Sequence, residues 1–539
     1  MPQLFNAASY LVDRQISEGH GDRVAVTGPR GTLTYAELDL RVRRVATGLC
    51  ATGLLPEQRI VLFTADGPEM LVTILAAMRI GAVPVPVSTM YRGSELAELL
   101  RDSRARQLVT TPEFAAAAHE AAADAPDLAG VIAVDDADVH PAGKTRLPWE
   151  HLLDHEPDDG PYSTTEDSPA LWLYTSGTTG TPKAAMHRHA NIRHVVETYG
   201  RHVLATTPDD RCFSVAKLFF AYGIGNSAFF PLAAGAATVL DPARPTPATV
   251  AARLAADKPT LFFAGPTFFA ALLHSPDVPD DAFASVRFAL SAGEALPAEL
   301  YRRFHERFGI EIVDGIGSTE ALHIFLSNRP GQVRPGTTGT PVPGYDLQLR
   351  AADGSQVPDG EPGSLFLRGA SLAVGYWSRT DTTRAVFQGE WLATGDIYMR
   401  DSDGYYACLG RDNDMIKAGG IWVSPGEVEA RLLSHPSVAQ VAVVAAADAD
   451  GLDKPVACVV AAPGHTVDPA ELVAYCREGL AAFKRPRHVL VFETLPTTAT
   501  GKLQRYLLRQ EVAVRLKETG PVVIPATEAA SEQTKESTA

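Results

Sequence analysis

The sequence predicts an α/β protein: a large N-terminal domain of parallel sheets covered by helices with a small β-rich subdomain, then a small, mobile α+β C-terminal domain. Three observations predict it. Short apolar runs alternate with helical periods through roughly the first 330 residues, the rhythm of parallel strands linked by crossover helices. Between about 333 and 412, Gly and Pro turns separate short strands. After Arg411 longer helical periods return.

Taken in order, residues 1–165 combine helical patterns at Tyr35 to Thr52 and Glu95 to Ser103 with strand-like runs at Arg59 to Phe63 and Gln107 to Thr110. Ala170 to Tyr174, Ala237 to Leu240, Leu261 to Ala264, Val286 to Leu290 and Glu311 to Val313 read as buried strands, apolar on both faces. Leu347 to Leu349 and Ser364 to Leu367 are strands of the twisted β region. Ser424-Pro425-Gly426-Glu427 reads as an N-cap, a Pro at the first helical position and a capping-box Glu, opening a helix to Ser434. Strands at 438–444, 455–461 and 489–492 and helices at Pro469 to Phe483 and Lys502 to Glu518 complete the second domain. The expected boundaries are 1–412 for the body and 413–520 for the C-terminal domain, with a disordered tail at 526–539 that lacks any apolar period.

The 539 residues carry 48 Lys plus Arg against 64 Asp plus Glu, a formal charge of -16, with 45% hydrophobic residues. A chain this long buries enough core to need no disulfide or metal staple. The acidic balance argues against nucleic acid as a partner, because such binding draws on a basic surface. Leu71 to Val87, the longest apolar stretch, contains Arg79, Gly81 and two prolines, so no membrane span is expected. Met1 to Phe5 lacks the basic-then-apolar pattern of a secretory signal, and five scattered cysteines suit a reducing compartment; a cytoplasmic location is expected. Monomer and homodimer fit the sequence equally.

The strand Ala170 to Tyr174 runs directly into Thr175-Ser176-Gly177-Thr178-Thr179-Gly180-Thr181-Pro182-Lys183. Glycines let backbone N–H groups turn toward an anion, hydroxyls add donors and a lysine adds charge. Ala184 stands where a Walker A loop requires Ser or Thr, so a different nucleotide chemistry is implied. The order resembles the phosphate loop of the acyl-adenylate-forming superfamily, which includes acyl- and aryl-CoA ligases, peptide-synthetase adenylation domains and firefly luciferase.

Further motifs follow in that family's order. Ser291-Ala292-Gly293-Glu294-Ala295 resembles the segment bordering adenine and substrate, and Asp314-Gly315-Ile316-Gly317-Ser318-Thr319-Glu320 the one that places Thr319 near the α-phosphate and Glu320 toward Mg2+. Thr394-Gly395-Asp396 and Gly410-Arg411 resemble the ribose-holding pair, and Pro496 to Lys502 the catalytic-lysine motif, a site type at which the family is switched off by lysine acylation. Gly419, Gly420 and Trp422 correspond to the CoA approach, and Asn413 to the hinge. Two positions depart from the pattern: Asn413 replaces the usual Asp or Lys, and Ile316 replaces a common Tyr.

Joining a carboxylate to a thiol requires a better leaving group than oxide, which ATP supplies as an acyl-AMP. Two anions must then meet, so cations and preorganised donors are needed; the resemblance assigns that task to Lys183, Thr319, Lys502 and Mg2+ held by Glu320. Lys217 to Asn226 together with His323 resembles the benzoate-CoA ligase branch. There the turn Ala221-Tyr222-Gly223, Ser291, Ala292, Gly293, Ile316 and His323 border a short flat acyl pocket that suits a planar ring. The implied reaction is ATP-dependent: benzoate or a substituted benzoate gives aryl-AMP and pyrophosphate, and CoA then gives aryl-CoA and AMP. An aryl-AMP ligase loading an acyl carrier protein is the alternative enzyme, and a non-catalytic sensor of aryl adenylates the alternative of another class.

Overall fold

The computed structural model describes residues 3–176, 182–418, 421–447, 453–497 and 503–519. It divides into two compact units. Met1–Thr394 and Arg400–Ala407 form unit 1, and Gly395–Met399 and Cys408–Ala539 form unit 2.

Unit 1 opens with β1 (Val24–Thr27) and β2 (Leu33–Thr34), the last two strands at one side of a sheet completed later in the chain, β2 at its edge. The next five strands, β3 (Arg59–Phe63), β4 (Val83–Pro86), β5 (Gln107–Thr110), β6 (Gly130–Ala133) and β7 (Thr145–Pro148), form a parallel sheet in the order β4-β3-β5-β6-β7. Val61, Val85, Leu108 and Val131 bury against Leu96, Leu100, Ala118 and Ala122 of two covering helices, which accounts for the apolar composition of these strands.

β8 (Pro169–Ser176) and β9 (Pro182–Arg188) pair antiparallel, from Leu171 opposite His187 to Ser176 opposite Pro182. β9 was not expected, because its Lys, Met, His and Arg side chains dilute the apolar pattern. Gly177, Thr178, Thr179 and Gly180 of the expected phosphate loop lie outside the described residues.

β10 (Arg211–Ser214), β11 (Ala237–Val239), β12 (Leu261–Ala264), β13 (Phe288–Ser291), β14 (Ile312–Gly317), β15 (Ile324–Ser327) and β16 (Thr340–Pro341) complete a nine-stranded sheet, ordered β16-β15-β14-β13-β12-β10-β11-β1-β2. It is parallel from β14 through β1 and antiparallel at both edges. Phe262, Phe269, Phe283 and Phe304 meet edge to face in the core on one of its sides.

Where the sequence suggested a turn at Ala221-Tyr222-Gly223, the chain is helical from Ala221 through Ala234, with a π-turn at Gly225–Phe229. The reason is local crowding: a Cβ on Gly223 would lie 1.9 Å from the Lys217 carbonyl oxygen, so only glycine lets the chain double back into a helix there. β17 (Tyr345–Arg350) and β18 (Pro362–Gly369) form an antiparallel hairpin in the Gly/Pro-punctuated region. β19 (Phe387–Gln388) pairs with the start of β20 (Trp391–Arg400), along which the chain leaves unit 1.

After β21 (Tyr406–Arg411) and a 3-10 turn at Asp412–Asp414, unit 2 continues with the hairpin β22 (Ile416–Ala418) and β23 (Ile421–Val423). β24 (Val438–Ala447), β25 (Asp453–Ala461) and β26 (His488–Phe492) form a three-stranded sheet. Val443, Ala457 and Val459 face the helices Pro425–Leu433 and Pro469–Gly479, while Ala442, Val444 and Cys458 face the helix Arg505–Thr519, the two-residue alternation of a sheet buried on both sides.

Three expectations for unit 2 need correction. Ser424 caps its helix, accepting from Glu427 N at 3.4 Å, but the Glu427 carboxylate pairs with Lys484 at 2.6 Å instead of closing a capping box. The helix from Pro469 stops at Gly479, because Leu480 turns extended to bury its side chain, and Ala482–Lys484 is a separate 3-10 turn. The last helix starts at Arg505, since Leu503 is drawn into an extended bridge with Thr497. Among the described residues no helix is long and apolar enough to cross a membrane.

Candidate active site

The turn joining β14 to β15 is held from several sides. His187 of β9 bonds the Thr319 carbonyl through Nε2 at 2.8 Å, while its Nδ1 accepts from Asn191 Nδ2 at 2.9 Å. Those partners make Nε2 the protonated nitrogen. Burial pushes His187 down to about 4, against the opposing pull of the Thr319 carbonyl and the Glu320 charge, so the ring is neutral. Ala373 N donates to the Glu320 carbonyl at 2.8 Å and Ser371 Oγ to that of Ala321 at 2.7 Å. The Ser318 hydroxyl accepts from Ala321 N at 3.1 Å.

The Glu320 side chain is half-buried, and its Oε1 accepts from the Tyr376 hydroxyl at 2.6 Å. That same hydroxyl accepts from Lys183 Nζ at 3.0 Å, and the ammonium lies 4.0 Å from the ring centroid. Burial lowers the Lys183 pKa, with Glu320 opposing, and burial together with Glu320 raises that of Tyr376. Lys183 of the expected phosphate loop and the expected metal carboxylate Glu320 therefore meet through a phenol.

On β14, the strand leading into that turn, Asp314 stands opposite Ser291 of β13 in parallel pairing. Burial pushes its carboxyl up to about 8, although Ser291 and the Leu296 and Gly315 backbone pull it the other way. One of its oxygens, Oδ1, has no hydrogen-bond partner among the described residues. Gly293 adopts φ +98°, in the left-handed region, and Glu294 accepts from Thr267 Oγ1 at 2.8 Å. Ala295 beside them is exposed. Gly315, Ile316 and Gly317 lead along β14 into the turn, and a Cβ on Gly317 would sit 2.6 Å from the His323 carbonyl oxygen.

His323, 2% exposed, is packed within 4.6–5.6 Å of the rings of Phe230, Tyr199 and Tyr222. Its Nε2 bonds Asn226 Oδ1 at 3.2 Å, and burial pushes it down to about 3, so it too is neutral. The Tyr222 hydroxyl donates to the Leu290 carbonyl at 3.0 Å. Gly223 and Gly225 are taken up by packing, since a Cβ on Gly225 would meet His323 Cδ2 at 2.3 Å. Ala221, Tyr222 and Ile316 retain some exposure, Ala292 beside them is 7% exposed, and Gly293 is exposed.

Within unit 2, the Arg411 guanidinium pairs with the buried Asp396 at 2.9 Å, and Gly395 (φ +76°) and Gly410 (φ +133°) take backbone angles that favour glycine. Asp414 is gripped by Arg509 at 2.9 Å and faces Arg505 at 3.7 Å. Arg505 also pairs with Glu429 at 2.8 Å, tying the residue after Asn413 to the helix that follows the lysine motif. Trp422 lies on β23 opposite Lys417. Gly419, Gly420 and Lys502 lie outside the described residues.

The sequence profile of AMP-binding enzymes matches residues 12–377, and that of the AMP-binding enzyme C-terminal domain matches 427–502. The chain belongs to the AMP-binding enzyme family. Among curated members of that family, it is 44% identical over 516 residues to the 4-hydroxybenzoate–CoA/benzoate–CoA ligase of Rhodopseudomonas palustris, covering 94% of each chain. Among solved structures, it matches a benzoate CoA ligase from Burkholderia xenovorans with a TM-score of 0.87 at 40% identity, over 94% of this chain and 100% of the other. It matches an anthranilate CoA ligase in complex with anthranoyl-AMP with a TM-score of 0.91 at 36% identity, over 96% and 99%.

The expected residues Lys183, Thr319 and Glu320 come together in unit 1; Asp314 and Ser291 pair across β14 and β13, and Tyr222, on the helix from Ala221, packs on His323 and reaches the Leu290 carbonyl of β13. Sequence reading missed His187, Asn191 and Tyr376. Lys183 and His187 share a face of β9 by the two-residue period, a placement visible only once the strand itself is known. Nothing local singles out Tyr376, which is brought to Glu320 by the fold alone.

Proposed function

We propose that the chain is an ATP-dependent acid–thiol ligase of the benzoate-CoA ligase type. A benzoate and ATP give aryl-AMP and pyrophosphate, and CoA then takes the aryl group as a thioester with release of AMP. The observation that carries this reading is the Lys183–Tyr376–Glu320 chain beside Thr319, on the same turn whose far end carries His323 and its aromatic wall.

Each half of that arrangement suits one half of the reaction. Thr319, with its carbonyl fixed by His187, and Lys183 supply donors for phosphate oxygens, and the unpartnered, buried Asp314 Oδ1 is an acceptor of the kind an adenine amino group requires. Asp396 and Arg411 serve the ribose, and Lys502 bridges the substrate carboxylate and the α-phosphate. Gly419, Gly420 and Trp422 border the thiol's approach, and Asn413 is the hinge between the half-reactions. Rings packed around a neutral His323 offer a planar aryl acid a flat, uncharged surface.

Among the described residues no group of three or more His, Cys, Asp or Glu could hold a metal. Mg2+ needs no such cage, because it binds through one or two carboxylates, water and the phosphates it accompanies. Glu320, with one oxygen taken by a phenol, fits that requirement and would hold the ion. When bound, Mg2+ supplies neutralising charge to the phosphates.

A panel of aryl and alkyl acids, scored for CoA-thioester formation and for ATP–pyrophosphate exchange, tests the reading. Benzoate and hydroxybenzoates are expected to lead. A preference for long alkyl acids would overturn the aryl assignment, faster loading of a phosphopantetheinyl carrier protein than of CoA the acceptor, and no exchange with any acid the enzymatic reading itself.

A further inference from the structure

We propose that Tyr376 is a positioning residue for Mg2+-dependent adenylation: its hydroxyl fixes Glu320 by one carboxylate oxygen and holds Lys183 beside it. The inference rests on the functional reading above and adds to it a residue that no motif marked.

The geometry is specific. Tyr376 is 4% exposed, with its ring edge-on to Phe387 at 5.5 Å and its backbone N–H bonded to Thr383 Oγ1 at 3.0 Å, so the phenol is aimed by packing. Its single hydrogen goes to Glu320 Oε1, and a lone pair receives Lys183. No ion pair within 4.0 Å joins Lys183 to Glu320, and the phenol spans the gap between the charges. A carboxylate bonded at one oxygen keeps a fixed plane with the second oxygen available, which is the presentation a hard cation needs from a lone carboxylate ligand. A lysine held by a neutral hydroxyl keeps its charge uncommitted to a direct carboxylate contact, leaving it available to an incoming phosphate.

Purely structural roles for Tyr376 predict something different from a positioning role. Tyr376→Phe keeps the ring, its packing on Phe387 and the aromatic face under Lys183, and removes only the hydroxyl. Binding of the non-cleavable analogue α,β-methylene-ATP, measured by calorimetry with Mg2+ and with EDTA, separates the two. We expect affinity in Mg2+ to fall about ten- to a hundredfold, the loss typical of one hydrogen bond to a charged group, and affinity in EDTA to change severalfold less. The Mg2+ concentration that half-saturates aryl-AMP formation should rise in step, while thioester formation from supplied aryl-AMP stays within about twofold. Equal losses in Mg2+ and EDTA, or equal losses in both half-reactions, would overturn the proposal, as would an unchanged Mg2+ dependence. If the wild-type protein binds the analogue but adenylates no aryl acid, the functional reading fails while the calorimetric arms still judge Tyr376.

Discussion

Gly225 has no side chain because His323 occupies the space where a Cβ would stand, 2.3 Å from the imidazole Cδ2. Gly225→Ala must therefore push His323 out of its contacts with Phe230 and Tyr222, at a cost of about 1–3 kcal/mol. If the wall around His323 receives the aryl acid, the KM for benzoate should rise at least about tenfold while that for ATP barely moves; steady-state kinetics in both substrates reads the split, and a parallel rise would remove His323 from the acyl site. Lys502→Ala should nearly abolish aryl-AMP formation yet leave CoA transfer from supplied aryl-AMP largely intact. A fall in both half-reactions would contradict its assignment to adenylation. The grouping of Lys183, Thr319 and Glu320 was legible because their types and spacing are unusual together. His187 and Tyr376 were not, since each acts through a backbone or carboxylate more than fifty positions away in the chain.

At the scale of elements, strands with apolar residues on both faces were readable because burial on both sides leaves a continuous hydrophobic run. β9 was not, because its inward side carries Lys183 and His187, whose polarity the site requires. The helix at 221–234 was misread for a related reason. Its glycines answer to crowding by Lys217 and His323, contacts that a local pattern does not record. In unit 2 the helix Arg505–Thr519 is anchored to the turn Asp412–Asp414 through Asp414, which two arginines face from 2.9 and 3.7 Å. Asp414→Ala removes the carboxylate that Arg509 contacts at 2.9 Å while Arg505 keeps its pairing with Glu429, and should lower the stability of unit 2 by about 0.5–1.5 kcal/mol. Hydrogen exchange localised to that helix is the measurement, and protection equal to wild type would show the clamp to be idle.

For the whole molecule, pH sums over a few buried groups. His189 is pushed down to about 4 by burial, like His187, and His323 to about 3. The unfolded chain binds protons that these folded histidines refuse, so their contribution to stability is complete above about pH 6.5 and is lost as pH falls toward 4. Asp66, which accepts from Leu218 N at 3.2 Å, is pushed up to about 6, and Asp314 to about 8. Their contribution is present below about pH 4 and is lost as pH rises through those values. Of these five groups only Asp314 still differs between folded and unfolded chains from about pH 6.5 to 8, where it should cost about 1.4 kcal/mol per pH unit. Thermal melts over that range should slope downward for the wild type and flatten in Asp314→Asn; an equally steep limb in the variant would place the proton elsewhere. The formal charge of -16 bears on partners and says nothing of this balance, which is set by a handful of interior sites.

The chain enters unit 2 at Gly395, returns to unit 1 for Arg400–Ala407, and crosses again at Cys408. Asp396 is delivered on the first crossing and its partner Arg411 on the second. The smaller unit is therefore no cassette that can be cut at one point. A graft beginning at Cys408 would join one relative's arginine to another's aspartate, and recombination that keeps this ion pair within one lineage must place its junction before Gly395. Inheritance of the second domain begins about a dozen residues earlier than its continuous fold.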